Sequence, residues 1–467
     1  MSKKKVLVIG LDCLAPQLLF NRWLDILPNI KKLAYSGIWG KLESTIPCIT
    51  VPAWSSMVTS KDPGELGFYG FRNRKDNSYD ALFFANSLAV NKPTIWNILS
   101  RNRKTSVVIG IPQTYPVKPL RGLMVGCFLT PDDNADFTYP SDLKTEVNNI
   151  TDGYIIDIKG FRTDKKEWLL NQIYNMTKKR FQLVNNWLKT KEWDFFMFVD
   201  MGPDRLHHGF WGICEPTHPK YENNSEFVDT IKNYYIYLDK EIGTLINTLD
   251  EDTTILIVSD HGARNLTGGI CVNEWLIKNG LLTVKKYPVE PEKLSMDNID
   301  WSKTYCWGEG GYYARIFFNV KGREPEGIIE KQEYKNFRDN LKHKFEVIED
   351  ESSTNINTKV FIPEDIYKET NGIPPDLIVY FGDLNYRSIG SIGYNSIYTY
   401  ENDTGPDDAN HDPFGVFVMT NISDYKSGKE INICPDNLSI YDVAPTILDL
   451  FGIDYEEYDM RGNKIIC

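Results

Sequence analysis

Positive charge is scarce in this sequence: 52 lysines and arginines stand against 64 aspartates and glutamates, a net charge of −12. A surface of that sign repels phosphate backbones and anionic lipids, so nucleic-acid duplexes and membrane surfaces are not expected partners. A small phosphorylated substrate stays compatible, because bound divalent cations invert the local field. Long apolar runs are missing as well, and none approaches the about 18 residues that suggest a membrane-spanning helix. The run Val6–Leu11 follows a basic start but ends on Asp12, so it reads as a buried strand and not as a leader peptide. The eight cysteines, at positions 13, 48, 127, 214, 271, 306, 434 and 467, include no CxxC pair. A chain of 467 residues does not need stapling, so reduced thiols and a cytoplasmic location are expected. Cys467 is the last residue given and not the fourth from the end, so no prenylation box is expected. Internal repeats and low-complexity tracts are absent.

What is present is ordinary for a globular protein. Hydrophobic residues make up 42% and charged residues 25%, enough for a sizeable core. Short apolar runs recur at Val6–Leu11, Ser106–Ile111, Phe195–Val199, Thr253–Val258, Leu377–Phe381 and Val416–Met419. Continuous runs of this kind suit parallel strands covered on both faces. Helical periodicity separates them, at Thr94–Asn102, Lys166–Lys189 and Phe227–Leu249. Ser439 and Asp442 form a capping box ahead of the run Ala444–Phe451, and Gly452 is its stop. The alternation predicts an α/β domain with a mostly parallel central sheet flanked by helices on both faces. One domain spanning 1–467 is expected. The segments 112–165 and 284–370 break the alternation and are candidates for inserted cap-like elements, or for surface elaboration.

Ligands in open α/β sheets bind outside the carboxyl ends of the strands. Asp12 follows the first run, and Asp200 and then Gly202-Pro203-Asp204-Arg205-Leu206-His207-His208 follow the third. Ser259-Asp260-His261-Gly262 follows the fourth, and Asn410-His411-Asp412-Pro413 precedes the last. Of only six histidines, four lie in these stretches. Each group alone has a plain structural reading: Asp12 as a turn residue, Asp260-His261-Gly262 as an Asx-turn, Asp204 with His208 as a surface ion pair, His411 as a polar loop residue. Together they form a carboxylate and imidazole set without thiolate, which suits zinc or manganese. Four such ligands saturate one tetrahedral ion and more than four are available, so two ions are implied.

One further stretch carries nucleophiles. Ile46-Pro47-Cys48-Ile49-Thr50-Val51-Pro52-Ala53-Trp54-Ser55-Ser56 contains Cys48, Thr50, Ser55 and Ser56 between and beyond two prolines. In this order, Ile9-Gly10-Leu11-Asp12, Thr50-Val51-Pro52, Asp204 with His208, Ser259-Asp260-His261-Gly262 and His411 resemble the alkaline phosphatase superfamily, in its type I phosphodiesterase and nucleotide pyrophosphatase branch. Gly322-Arg323-Glu324-Pro325-Glu326-Gly327 and Asp442-Val443-Ala444-Pro445-Thr446-Ile447-Leu448 look like a predicted phosphohydrolase or phosphomutase subgroup of that branch.

The resemblance implies an alkaline-phosphatase-like fold and two divalent ions, zinc or else manganese. One ion would be held by Asp12, Asp260, His261 and Thr50, the other by Asp204, His208 and His411; His207 is a neighbour out of register. It also implies attack by a residue two before a proline, which is Thr50 through Pro52. Cys48 is out of that register, and Trp54 stands where a sulfatase would place arginine. A metal-bound hydroxyl ionises more easily, and a helix beginning near Pro52 offers free N–H groups to a phosphoryl group. Two ions about 4 Å apart would stabilise the attacking and leaving oxygens of an in-line displacement. Thr50 would then form a phosphothreonine, which water hydrolyses. Ala53 replaces the asparagine that holds a phosphoryl oxygen in nucleotide pyrophosphatases, so Lys61, Arg264 or a backbone N–H is expected to substitute. Trp54, with Phe68, Tyr69 and Phe71, would either stack on the substrate or pack beneath the loop. The expected substrate is a small phosphate ester, such as a phosphodiester or a nucleotide. A phosphomonoester phosphatase or phosphomutase on the same frame is the alternative, ahead of a silent binding protein or a sulfatase.

Overall fold

In the computed structural model, which describes residues 4–466, nine strands form one sheet. Their order is Leu438–Ser439, Ile38–Glu43, Phe414–Asn421, Thr253–Val258, Lys5–Leu11, Phe195–Asp200, Ser106–Ile109, Gly122–Val125 and Thr138–Tyr139. The five strands from Thr253–Val258 to Gly122–Val125 run parallel. Successive side chains of a strand point to opposite faces. Phe195–Asp200 is buried at every residue, and Lys5–Leu11 at every residue after Lys5, so both faces are covered. The helices accordingly fall into two packs. Pro28–Tyr35, Leu143–Thr151, Lys166–Thr190, Gly202–Cys214 and Thr230–Ile246 form one; Thr50–Thr59, Ile95–Arg101 and Val443–Leu450 form the other. Among the described residues, no helix is long and apolar enough to cross a membrane.

Three expectations change. Phe414–Asn421 joins the sheet as expected of Val416–Met419, but antiparallel to both neighbours. Leu377–Tyr380 is not in this sheet at all. It belongs to a four-stranded antiparallel sheet with Cys306–Glu309, Ala314–Phe318 and Lys359–Phe361. That run is continuously apolar because it too is covered twice. Leu377 and Val379 enter the core of this second lobe, while Ile378 and Tyr380 pack with Cys48, Ile49 and Tyr69. Finally, the segment 112–165 supplies the sheet strands Gly122–Val125 and Thr138–Tyr139, whereas 284–370 lies in the second lobe with its own apolar core.

The two subgroup motifs prove to be structural staples. Asp442 accepts from the Ser439 N–H at 2.9 Å, and this box starts the helix Val443–Leu450 that packs against Thr50–Thr59. In the other, Arg323 grips Asp376 with two N–H donors at 2.7 and 2.8 Å, and buried Glu324 pairs with buried Arg74 at 3.0 Å.

Candidate active site

The carboxyl ends of three adjacent parallel strands and one loop strand converge on a buried cluster. Asp12 follows Lys5–Leu11 directly. Asp260 and His261 follow Thr253–Val258, and Asp204 and His208 lie one turn apart on the helix after Phe195–Asp200. His411 arrives from far along the chain, because Ala409–Asp412 pairs antiparallel with Gly262–Asn265 and sets His411 against Ala263. All six are buried.

Thr50 is the first residue of the helix Thr50–Thr59, two residues earlier than Pro52 suggests. Proline is tolerated in a first turn, where its missing N–H has no partner to lose. The Thr50 hydroxyl lies 3.4 Å from His261 Nε2. That nitrogen is also 3.1 Å from Asp260 Oδ2 and 3.9 Å from Asp12 Oδ1.

The three imidazoles share one arrangement. His261 Nδ1 lies 3.1 Å from the Gly262 carbonyl, His411 Nδ1 lies 2.9 Å from the Cys48 carbonyl, and His208 Nδ1 lies 2.7 Å from Asp407 Oδ1. A carbonyl only accepts, so Nδ1 carries the proton in His261 and His411 and Nε2 presents its lone pair. His208 Nε2 lies 3.2 Å from Asp204 Oδ1. Two groups have donor atoms close enough to share one cation: Asp12 with Asp260 and His261, and Asp204 with His261 and His411. His208 lies beside the second group through Asp204, and His261 belongs to both groups.

The electrostatics show a site short of positive charge. Burial pushes Asp12 well above the usual carboxylate range, and the neighbouring Asp260 and Asp204 push it further. Asp260 is likewise raised, chiefly by burial. Burial also opposes ionisation of Asp204, but His208 and Arg205 outweigh it and hold this carboxyl well below its ordinary value. Burial lowers His261 to about 4, whereas Asp407 and Asp204 overcome burial at His208 and raise it to about 9.

Several residues fall outside the cluster. Trp54 is buried behind it and donates its indole N–H to Asp12 Oδ2 at 2.6 Å, so it orients a carboxylate and contacts no substrate space. Lys61 lies beyond the far end of the helix, paired with Glu65 at 3.1 Å. Arg264 pairs with Asp412 at 3.1 Å and donates to the Asp383 carbonyl. Neither lines the cavity at Thr50. His207 faces away, with Nε2 3.1 Å from the Tyr235 hydroxyl. Cys48 is buried, and burial pushes its thiol up to about 12.

Two residues were missed by sequence reasoning. Asp407 is fully buried and holds His208, Arg162 and Arg387; its only sequence signal is its position four before His411. Tyr312, from the second lobe, stacks on His411 with ring centroids 4.1 Å apart, and nothing in its local sequence marks it. A cavity of about 380 Å³ opens beside Thr50, Asp204 and His411 and is walled by both lobes.

The profile of the type I phosphodiesterase/nucleotide pyrophosphatase family matches residues 6–407. The chain belongs to this family. It is a hydrolase family of the alkaline phosphatase superfamily. Among solved structures, human ectonucleotide pyrophosphatase/phosphodiesterase 5 superposes with a TM-score of 0.54 over 99% of this chain and 97% of its own, at 14% identity. That likeness supports the alkaline-phosphatase-like fold. No curated protein matches the chain by sequence.

Proposed function

We propose that the chain hydrolyses phosphate esters, most directly phosphodiesters or pyrophosphate-linked nucleotides, with Thr50 as nucleophile. One observation carries this reading. Asp12 Oδ1, Asp260 Oδ2 and His411 Nε2 are buried without a hydrogen bond, and they gather beside the Thr50 hydroxyl at a helix N-terminus. Unpaired buried acceptors are costly, and a cluster of them fits cations. The donor set of imidazole and carboxylate without thiolate suits zinc or manganese. Asp12, Asp260, His261 and Thr50 would hold one ion; Asp204, His208 and His411 would hold the other. Such ions neutralise phosphoryl charge and make a bound hydroxyl easier to ionise.

The protein's own residues supply the rest. Trp54 and Asp407 fix Asp12 and His208 in orientation. Thr50 Oγ1 releases its proton to solvent and bonds to phosphorus as the bond to the departing oxygen breaks, and that oxygen takes up a proton. The free N–H groups of the first helical turn receive the phosphoryl oxygens. Water then attacks the phosphothreonine, giving free phosphate or phosphomonoester and restoring the hydroxyl.

The test is Thr50→Ala, assayed on chromogenic phosphodiester, phosphomonoester and sulfate ester substrates. Turnover is lost while zinc binding through the carboxylates and imidazoles persists. Normal turnover in this variant would remove Thr50 from the chemistry. A wild-type preference for monoesters would instead favour a phosphatase or phosphomutase on the same frame.

A further inference from the structure

The cavity beside Thr50 is lined by arginines to which the hydrolytic chemistry assigns no contact with substrate. Arg72, Arg162, Arg205, Arg315 and Arg387 all line it. Four of them are matched by carboxylates. Arg162 and Arg387 pair with Asp407 at 3.1 and 3.0 Å, Arg205 pairs with Asp157 at 2.8 Å, and Arg315 pairs with Glu309. Arg72 differs. It is exposed, and among the described residues its guanidinium has neither a carboxylate partner nor a hydrogen bond.

An unpaired surface arginine is common, but the backbone carrying this one is held on both sides. The Arg315 guanidinium donates to the Arg72 carbonyl. Asn73 closes the preceding turn, accepting from the Tyr69 N–H at 2.7 Å and donating to the Gly70 carbonyl at 2.9 Å. Arg74 is locked to buried Glu324 and lies over the Trp307 ring. Beside Arg72, Phe71 and Phe128 meet edge-to-face at 5.9 Å and form an apolar wall of the same cavity. The arrangement is an unpaired arginine on a held backbone next to an aromatic surface, lining the cavity that also holds Thr50.

We propose that this cavity selects phosphate esters carrying a second anionic group, a carboxylate or a phosphate, which Arg72 binds. The proposal rests on the hydrolase reading above and extends it to the part of the substrate away from the reacting phosphorus. A protein of net charge −12 repels such compounds on average. An unpaired guanidinium reverses this locally, because its planar fork offers two parallel N–H donors to either group. The volume of about 380 Å³ lies near the lower end of the roughly 300–1,000 Å³ usual for small-molecule sites, which favours a small ester over a polymer.

Three diesters test this: phenyl p-nitrophenyl phosphate and its 4-carboxyphenyl and 4-phosphooxyphenyl counterparts, all releasing p-nitrophenol. For the wild type, kcat/KM should be about tenfold higher for at least one acidic diester than for the unsubstituted one, the size expected for one charge-assisted contact. Whichever acidic diester is preferred distinguishes carboxylate from phosphate. In Arg72→Gln the ratio should fall to about one. Equal wild-type values overturn the proposal. So does a uniform drop with an unchanged ratio in the variant, which would place Arg72 on the reacting phosphoryl group. Calorimetry with phenylphosphonate, 4-carboxyphenylphosphonate and 1,4-phenylenediphosphonate separates the two readings, because it needs no turnover. If no diester is cleaved but an acidic phosphonate binds about tenfold tighter in the wild type only, the subsite stands and the hydrolase reading falls. Equal affinities for all three overturn the subsite.

Discussion

Trp54→Phe isolates a single hydrogen bond at the centre of the cluster. The indole N–H lies 2.6 Å from Asp12 Oδ2, and it is the one side-chain donor to Asp12 among the described residues. The other carboxylate oxygen has no hydrogen bond. A hydrogen bond to a charged group contributes about 1.5–3 kcal/mol. Burial, Asp260 and Asp204 already favour the protonated form of Asp12, and the indole opposes them. Removing it should raise the carboxyl further, since the indole is the group that favours the charged form. A cation must displace that proton, so apparent metal affinity at neutral pH should fall about ten- to hundredfold. The assay is activity against buffered free zinc or manganese: the midpoint moves to higher metal concentration, and the rate at saturation changes less. Thermal melting with and without metal gives a second readout. Trp187→Phe serves as the packing control. Trp187 is equally buried but donates to Glu146 at 3.0 Å, so its loss should lower the melting temperature without moving the metal midpoint. A folded Trp54→Phe protein with an unchanged midpoint would refute the reasoning.

Asp407→Asn removes the charge that holds His208 at 2.7 Å, and metal affinity measured by equilibrium dialysis should fall about ten- to hundredfold. Cys48→Ala should leave kcat unchanged, because only the Cys48 backbone carbonyl touches His411; loss of turnover in a folded variant would reopen the choice of nucleophile. Gly10→Ala places a Cβ 2.6 Å from Val199 Cγ2 and 2.7 Å from Trp54 Cη2, so it should displace the indole and destabilise the fold by about 1–3 kcal/mol in denaturant titration. Chelation should abolish turnover and zinc or manganese should restore it; full activity in protein shown by elemental analysis to hold no metal would overturn the two-ion reading.

Much of the fold is legible in the sequence because its signals are local. Four of the five parallel strands are covered on both faces and therefore read as continuous apolar runs. The Ser439–Asp442 box and the amphipathic stretch Lys166–Lys189 each state their own conformation. The order and direction of strands are different. Leu377–Tyr380 and Val416–Met419 have the same local pattern as the parallel strands. Only their partners reveal that one belongs to a second sheet and the other runs antiparallel. The segment 112–165 reads as irregular because its strands are two and four residues long, too short to show a period.

The residues of the site divide in the same way. Asp12, Asp204 with His208, and Asp260 with His261 could be nominated because residues at the end of a parallel strand follow that strand in sequence. Thr50 was nominated from its spacing to Pro52 through a family resemblance. Sequence by itself determined this much: which residue types are available and which strand ends bear them. Tertiary structure decided the rest, because the remaining contacts join segments far apart in the chain. It brought His411 onto His261 at 3.8 Å between ring centroids and put Asp407 behind His208. It resolved the two readings of Trp54 by burying it against Asp12, and it placed Lys61 and Arg264 outside the cavity. It also gathered five arginines, spread between positions 72 and 387, around one cavity. No local pattern encodes such a cavity, since its walls exist only once the second lobe has packed against the sheet.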